Sequence, residues 1–189
     1  MVTISTAHSQ EDLSNILKLQ SENLLTVLTD EEKEKEGFLT VVHTLEDLAR
    51  LNDFEKHVVA KAAGSIVAYV LAMTKASRGD IPVLVPMFDI FDQTNYNGKP
   101  IASYDYIVVG QVCVDKEFRG QGLFDRNYAF YKETYSGKYE LAVTEIAAKN
   151  TRSLKAHQRV GFREICSHTA SNGVEWIIVV WDWNKQNEF

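Results

Sequence analysis

Val112-Cys113-Val114-Asp115-Lys116-Glu117-Phe118-Arg119-Gly120-Gln121-Gly122-Leu123-Phe124 is the stretch that decides the fold. An apolar run ends at Asp115, a charged link follows, and Arg119-Gly120-Gln121-Gly122 leads directly into a segment of helical periodicity. A strand, a glycine loop and a new helix in that order suit a pyrophosphate. Glycines let the backbone approach an anion closely, and the free N–H groups and positive dipole end of the helix attract it. Two glycines at such a junction also serve simply to make the turn, so the rest of the chain has to decide.

Residues 104–114 read as the long strand that feeds this loop. Beyond it, Leu123, Phe124, Tyr128, Tyr131 and Tyr135 fall near one face of a helix that ends at Ser136-Gly137. Residues 139–147 form the next strand, Asn150-Thr151-Arg152-Ser153 opens a helix that stops at Gly161, and strands 162–168 and 174–183 pair across Ala170-Ser171-Asn172-Gly173. Upstream, residues 2–7 alternate as a first strand, and Ser9-Gln10-Glu11-Asp12 caps a helix through about residue 25. Thr29-Asp30-Glu31-Glu32 repeats the cap ahead of Lys33-Glu34-Lys35-Glu36, a solvated helical face. Gly37 breaks that run, residues 38–42 are extended, and Thr44 caps a short amphipathic helix carrying Leu45, Leu48, Ala49 and Leu51. Residues 56–74 form a hairpin about Ala63-Gly64-Ser65 whose second arm is apolar on both faces and therefore central. Residues 75–103, with all three prolines, are expected to be irregular. There Phe88, Phe91 and Tyr96 either line an acceptor pocket or anchor the loop to the core. The order predicts a mixed α/β fold with one central, mostly antiparallel twisted sheet flanked by helices.

The 189 residues are 45% hydrophobic and 24% charged, which fits a single domain spanning 1–189. A formal net charge of −6 argues against a nucleic-acid surface. Cys113 and Cys166 form no CxxC pair and sit in apolar strand-like runs, so both read as reduced, buried thiols. The dispersed His8, His43, His57 and His168 suggest no metal. The start shows no secretory pattern and no run nears the roughly 18 apolar residues of a membrane span, so no membrane partner is expected and the cytoplasm is the expected location. Trp176, Trp181 and Trp183 mark the last strand as packing or as the face of a homodimer.

The opening stretch together with Asn150-Thr151-Arg152-Ser153-Leu154-Lys155-Ala156-His157-Gln158-Arg159-Val160-Gly161-Phe162 closely resembles the GNAT superfamily of acyl-CoA-dependent N-acetyltransferases. Arg119 to Phe124 matches the family's Arg/Gln-x-x-Gly-x-Gly/Ala loop, and Asn150 to Phe162 matches its Asn-started helix ending in Gly-Phe. The order of elements fits from end to end. The resemblance implies that acetyl-CoA is the acyl donor, with the backbone of Val112, Cys113 and Val114 along its pantetheine arm. The pyrophosphate would lie on the amides of Arg119, Gly120, Gln121, Gly122, Leu123 and Phe124. Asn150 would bond the pantetheine with Ser153 close by, and the thioester would enter a gap between strands diverging around Cys113 and Ile146.

Two positions depart from the family pattern. Phe124 stands where the loop usually ends in Gly or Ala, tolerable where the ring turns into the core. His157 stands where many members place a Tyr that protonates the departing thiolate; it is either that acid or a structural helix histidine. Glu145 matches a position where related N-terminal amine acetyltransferases carry a Glu that works through water, and is either the base or a structural carboxylate. The resemblance implies direct attack of a primary amine on the thioester; the other reading is a non-catalytic acyl-CoA-binding module. A protein N-terminus, a polyamine, an amino sugar and a small amino acid all fit as acceptor.

Overall fold

The structure, a computed structural model, describes residues 1–79 and 81–184, with 34–36 and 83 described by backbone alone. Asp80, the side chains of 34–36 expected as a solvated face, and the end of the expected 1–189 domain lie outside the described residues. In chain order the elements are β1 (Val2–Thr6), α1 (Gln10–Ser21), α2 (Asp30–Glu36), α3 (Leu45–Phe54), β2 (Val58–Ala62), β3 (Ser65–Met73), α4 (Val85–Gln93), β4 (Asn95–Tyr96) and β5 (Lys99–Pro100). There follow β6 (Tyr106–Val114), α5 (Leu123–Tyr135), β7 (Leu141–Ala147), α6 (Thr151–Val160), β8 (Arg163–Thr169) and β9 (Glu175–Asp182).

Three capping boxes start the first three helices. Ser9 with Asp12, Thr29 with Glu32, and Thr44 with Asp47 each satisfy two backbone donors that the helix leaves orphaned. Helix α1 stops at Ser21, short of the expected residue 25, because the following segment bonds elsewhere. Leu39 N donates to Asn23 O at 3.0 Å and Leu25 N donates to Leu39 O at 2.8 Å. Within residues 75–103, expected to be irregular, the helix α4 and the small β4–β5 hairpin form. Pro86 lies in the first turn of α4, where its missing N–H costs nothing, and the apolar positions 84, 87, 88 and 91 line one face. Phe88 and Phe91 are fully buried, so they anchor the segment rather than line a pocket.

Seven strands form one sheet in the order β1-β2-β3-β6-β7-β9-β8, antiparallel except for β6 and β7. Helices α1, α3 and α4 cover one face, where Ile16, Leu48 and Phe88 meet Leu71, Val143 and Ile178. Helices α5 and α6 cover the other, where Tyr128, Tyr131 and Tyr135 pack on Ile107, Ala142 and Val179. Trp181 and Trp183 join the aromatic cluster under α5.

The parallel pair is short. Tyr106, Ile107 and Val108 pair with Leu141, Ala142 and Val143, and there the ladder ends. On its other side β6 stays paired with β3 but carries one extra residue: Ala72 pairs with Val109 and Leu71 with Gln111, leaving Gly110 as a bulge that bends the strand. At the apex Thr144 Oγ1 donates to Val109 O at 2.8 Å, replacing the backbone partner that β7 no longer supplies. A Cβ on Gly110 would lie 2.3 Å from Met73 Sδ, so a larger residue would have to displace the buried Met73 side chain. Gly110→Val is therefore expected to cost about 1–3 kcal/mol in urea unfolding, and an unchanged midpoint would contradict this packing.

Candidate active site

The loop after β6 is held by side chains. Asp115 accepts from Glu117 N at 2.9 Å, and Arg119 donates from Nε to Val114 O at 3.0 Å and from Nη2 to Asn23 Oδ1 at 2.6 Å. The guanidinium thus ties the loop to the strand end and to the end of α1. Gly120 and Gly122 have φ of 72° and 73°, in the left-handed region, and no atom lies within 4 Å of where either Cβ would be. The first intrahelical bond of α5 runs from Arg126 N to Gly122 O at 3.0 Å, so the amides of Leu123, Phe124 and Asp125 have no intrahelical acceptor. Asp125 would set a negative charge at this helix start, but Arg159 pairs with it at 3.0 Å.

A cleft of about 670 Å³ runs from these amides along the free edge of β6 to the start of α6. Every residue expected to hold the acyl donor lines it except Gln121, which is exposed and donates from Nε2 to Glu117 O at 3.0 Å. Arg152, Lys155 and Arg159 of α6 add positive charge to its rim. Of the two cysteines expected to be buried, Cys166 is exposed on β8 and Cys113 alone is buried, where burial pushes its thiol up to about 12 and so disfavours the nucleophilic thiolate.

Phe124 takes the tolerable orientation: its half-buried ring turns onto Tyr128 at 4.9 Å and stands edge-on to His157 at 5.2 Å. Two other placements differ from expectation in detail. The Asn150 side chain bonds within the protein at both ends, its Oδ1 accepting from Ser153 N at 3.2 Å and its Nδ2 donating to Phe38 O at 3.2 Å, with a second Nδ2 hydrogen beyond that bond. His157 does not fit the expected acid. It is 2% exposed, Nδ1 donates to Ser153 O at 2.8 Å, and Nε2 accepts from the Tyr128 hydroxyl at 2.7 Å. Burial lowers its pKa to about 4, so the ring is neutral with both nitrogens committed.

A second, smaller pocket opens in the gap where β6 and β7 part, between residues 38–41 and the start of α6. Gln111, Glu145 and Trp176 line it, and residues 38–41 cross above it as a strap. A buried polar network fixes this strap. Gln111 donates to Val41 O at 2.9 Å and accepts from Tyr69 Oη at 2.6 Å and Gln20 Nε2 at 2.8 Å. Gln20 also bonds the backbone N–H and the ring Nδ1 of His43, each at 2.9 Å. Ser153 and Phe38 line both pockets, so the two meet beside the start of α6.

Glu145 is largely buried and accepts from His168 Nε2 at 2.8 Å. Burial raises its pKa, and the bond and charge of His168 pull it back. Neither His168 nor the Gln20–Gln111–His43 network was foreseen. Their partners lie on elements far apart in sequence, and β9 sits between β7 and β8 although it follows both. Among the described residues no group of His, Cys, Asp and Glu could hold a metal ion, and no helix is long and apolar enough to cross a membrane.

No protein-family model and no curated relative matches the sequence. Solved structures do match in shape. The ribosomal-protein-S18-alanine N-acetyltransferase of Escherichia coli superposes with a TM-score of 0.64 at 14% identity, covering 100% of this chain and 97% of that one. A GNAT-family acetyltransferase of Streptococcus agalactiae gives 0.66 at 14% identity over 97% and 96%. A chain of the NatC complex bound to Gag peptide and CoA gives 0.64 at 10% identity over 97% and 99%. The fold is that of the GNAT acetyltransferases.

Acid titration tests the buried neutral histidines. Burial lowers His43 and His157 to about 4 and His57 to about 3, below the 6.5 of an unfolded chain. Protonation therefore favours the unfolded state. Stability from these groups is intact above pH 6.5 and falls as pH drops toward 4, by about 1.4 kcal/mol per pH unit for each ring. Glu145, shifted the other way, opposes with one group against three. Urea midpoints measured from pH 7 to 4.5 are expected to decline steadily; a flat profile would contradict the burial.

Proposed function

We propose that this chain, with its GNAT fold, is an acetyl-CoA-dependent N-acetyltransferase that transfers the acetyl group directly to a primary amine. The observation that carries the reading is the continuity of two pockets. An anion cradle at the start of α5 runs along the unpaired edge of β6 and meets, beside Ser153, a pocket holding a buried carboxylate. The residues fit an acyl-CoA: left-handed glycines and unbonded amides for a pyrophosphate, open strand edge for an amide-bearing arm, and a basic rim for phosphate charge.

The bound thioester supplies an activated acetyl carbon; the chain binds it, orients it and manages protons. Glu145, ionised, takes a proton from the acceptor's ammonium and so frees the nitrogen lone pair. Unbonded amides of β6 beside the gap stabilise developing charge on the carbonyl oxygen. A thiolate is a good leaving group, so a committed His157 is no bar to the reaction; the departing sulfur takes the proton that the new amide must lose.

His157 also favours a second reading, a non-catalytic acyl-CoA-binding module, because the usual acid position offers no free donor. Incubation with acetyl-CoA and a panel of amines, following free thiol, separates the two. Turnover on at least one amine is expected, with Glu145→Gln lowering kcat about 10²–10⁴-fold at unchanged CoA affinity. CoA binding with no turnover on any amine would leave only the module.

A further inference from the structure

His168 stands on the edge strand β8 and Glu145 on β7, with β9 between them. The registers put both on one face of the sheet: Glu145 pairs with Ile178, His168 pairs with Trp176, and Ile178 and Trp176 lie two apart on β9. The two side chains thus meet over β9, with His168 Nε2 donating to Glu145 Oε2. Glu145 lines the pocket between β6 and β7, whereas His168 does not, so the imidazole holds the carboxylate from behind. Both are mostly shielded, with side-chain exposures of 19% for His168 and 16% for Glu145.

The neighbours of Glu145 sharpen the point. From β6 the pocket presents Gln111, from β9 Trp176, and from the strap Thr40 and Val41, none of which carries charge. From α6 it presents His157, which burial keeps neutral. His168 is the one titratable group that bonds Glu145 among the described residues. A carboxylate in such surroundings tends to hold its proton, and a protonated Glu145 cannot take one from an ammonium.

We propose that His168 is the positioning residue that keeps Glu145 ionised and aimed for the acceptor amine. This rests on the acetyltransferase reading above. Nε2–H of the ring satisfies Oε2 on the side of β8, leaving Oε1 as the basic atom for the pocket. The protons balance. One passes from the ammonium to Glu145. The C–N bond then forms, the C–S bond breaks, and the second proton passes from nitrogen to the departing sulfur to give the free thiol. After product leaves, Glu145 gives its proton to water.

The test compares His168→Leu, which removes the donor, with His168→Gln, which keeps an N–H donor, in pH–rate profiles on the best amine of the panel. CoA affinity and thermal unfolding serve as controls. His168→Leu is expected to move the acid limb of kcat/KM to higher pH, so that activity drops about tenfold more near pH 6 than near pH 9 while CoA affinity is unchanged. His168→Gln is expected to hold the limb near its original place. A His168→Leu profile that superposes on the parent, or equal displacement in both variants, would overturn the role. Absence of turnover in the parent despite CoA binding would instead overturn the acetyltransferase reading, and this inference with it.

Discussion

The molecule depends on a sheet that parts. Two parallel strands hold together for three residue pairs and then separate, and every backbone group past that point has to find another partner or face a ligand. One carbonyl is satisfied inside the protein, by the Thr144 hydroxyl at the apex. The rest of the free β6 edge faces a cleft. The bulge at Gly110 makes the parting compatible with an intact ladder to β3, so the sheet opens on one side of β6 without unravelling on the other.

What surrounds the opening is built to keep it. On one face the aromatic layer of α5 packs against β6, β7 and β9, and the Tyr128–His157–Ser153 chain ties α5 to α6. On the other, Gln111 lies one residue past the bulge and binds the strap, α1 and Tyr69 together. Gln20, Tyr69, Gln111 and His157 are buried, and leaving such a group unpaired would cost about 1–3 kcal/mol, so their bonds rigidify the pocket. The same burial that fixes these histidines as neutral struts removes them from proton chemistry. Glu145 and His168 are less deeply buried and are bonded to each other.

The sequence displayed the cradle because its chemistry is local: strand, glycines and helix start are contiguous from Val112 to Phe124. The capping boxes and the Ala63-Gly64 hairpin were legible for the same reason. Helix α4 was hidden by Pro82 and Pro86, read as breakers although a proline in the first turn is compatible with a helix. The placement of His157 could not be read from its own helix, because what removes it from proton transfer is a tyrosine hydroxyl from α5, 29 residues earlier. His168 was passed over as a dispersed histidine. Its meeting with Glu145 requires β9 to insert between β7 and β8, a fact of topology rather than of spacing.

We propose that the parted strands and the start of α5 form one site for an acyl-CoA, and an amide-resolved NMR titration with CoA tests this residue by residue. Saturable shifts are expected at the amides of residues 112–114 and 120–125 and at the start of α6, with little change at β1 and β2. Absence of shifts at 120–125 under saturating CoA, or shifts confined to the surface that Ala129, Lys132, Ser136 and Trp181 line, would contradict it.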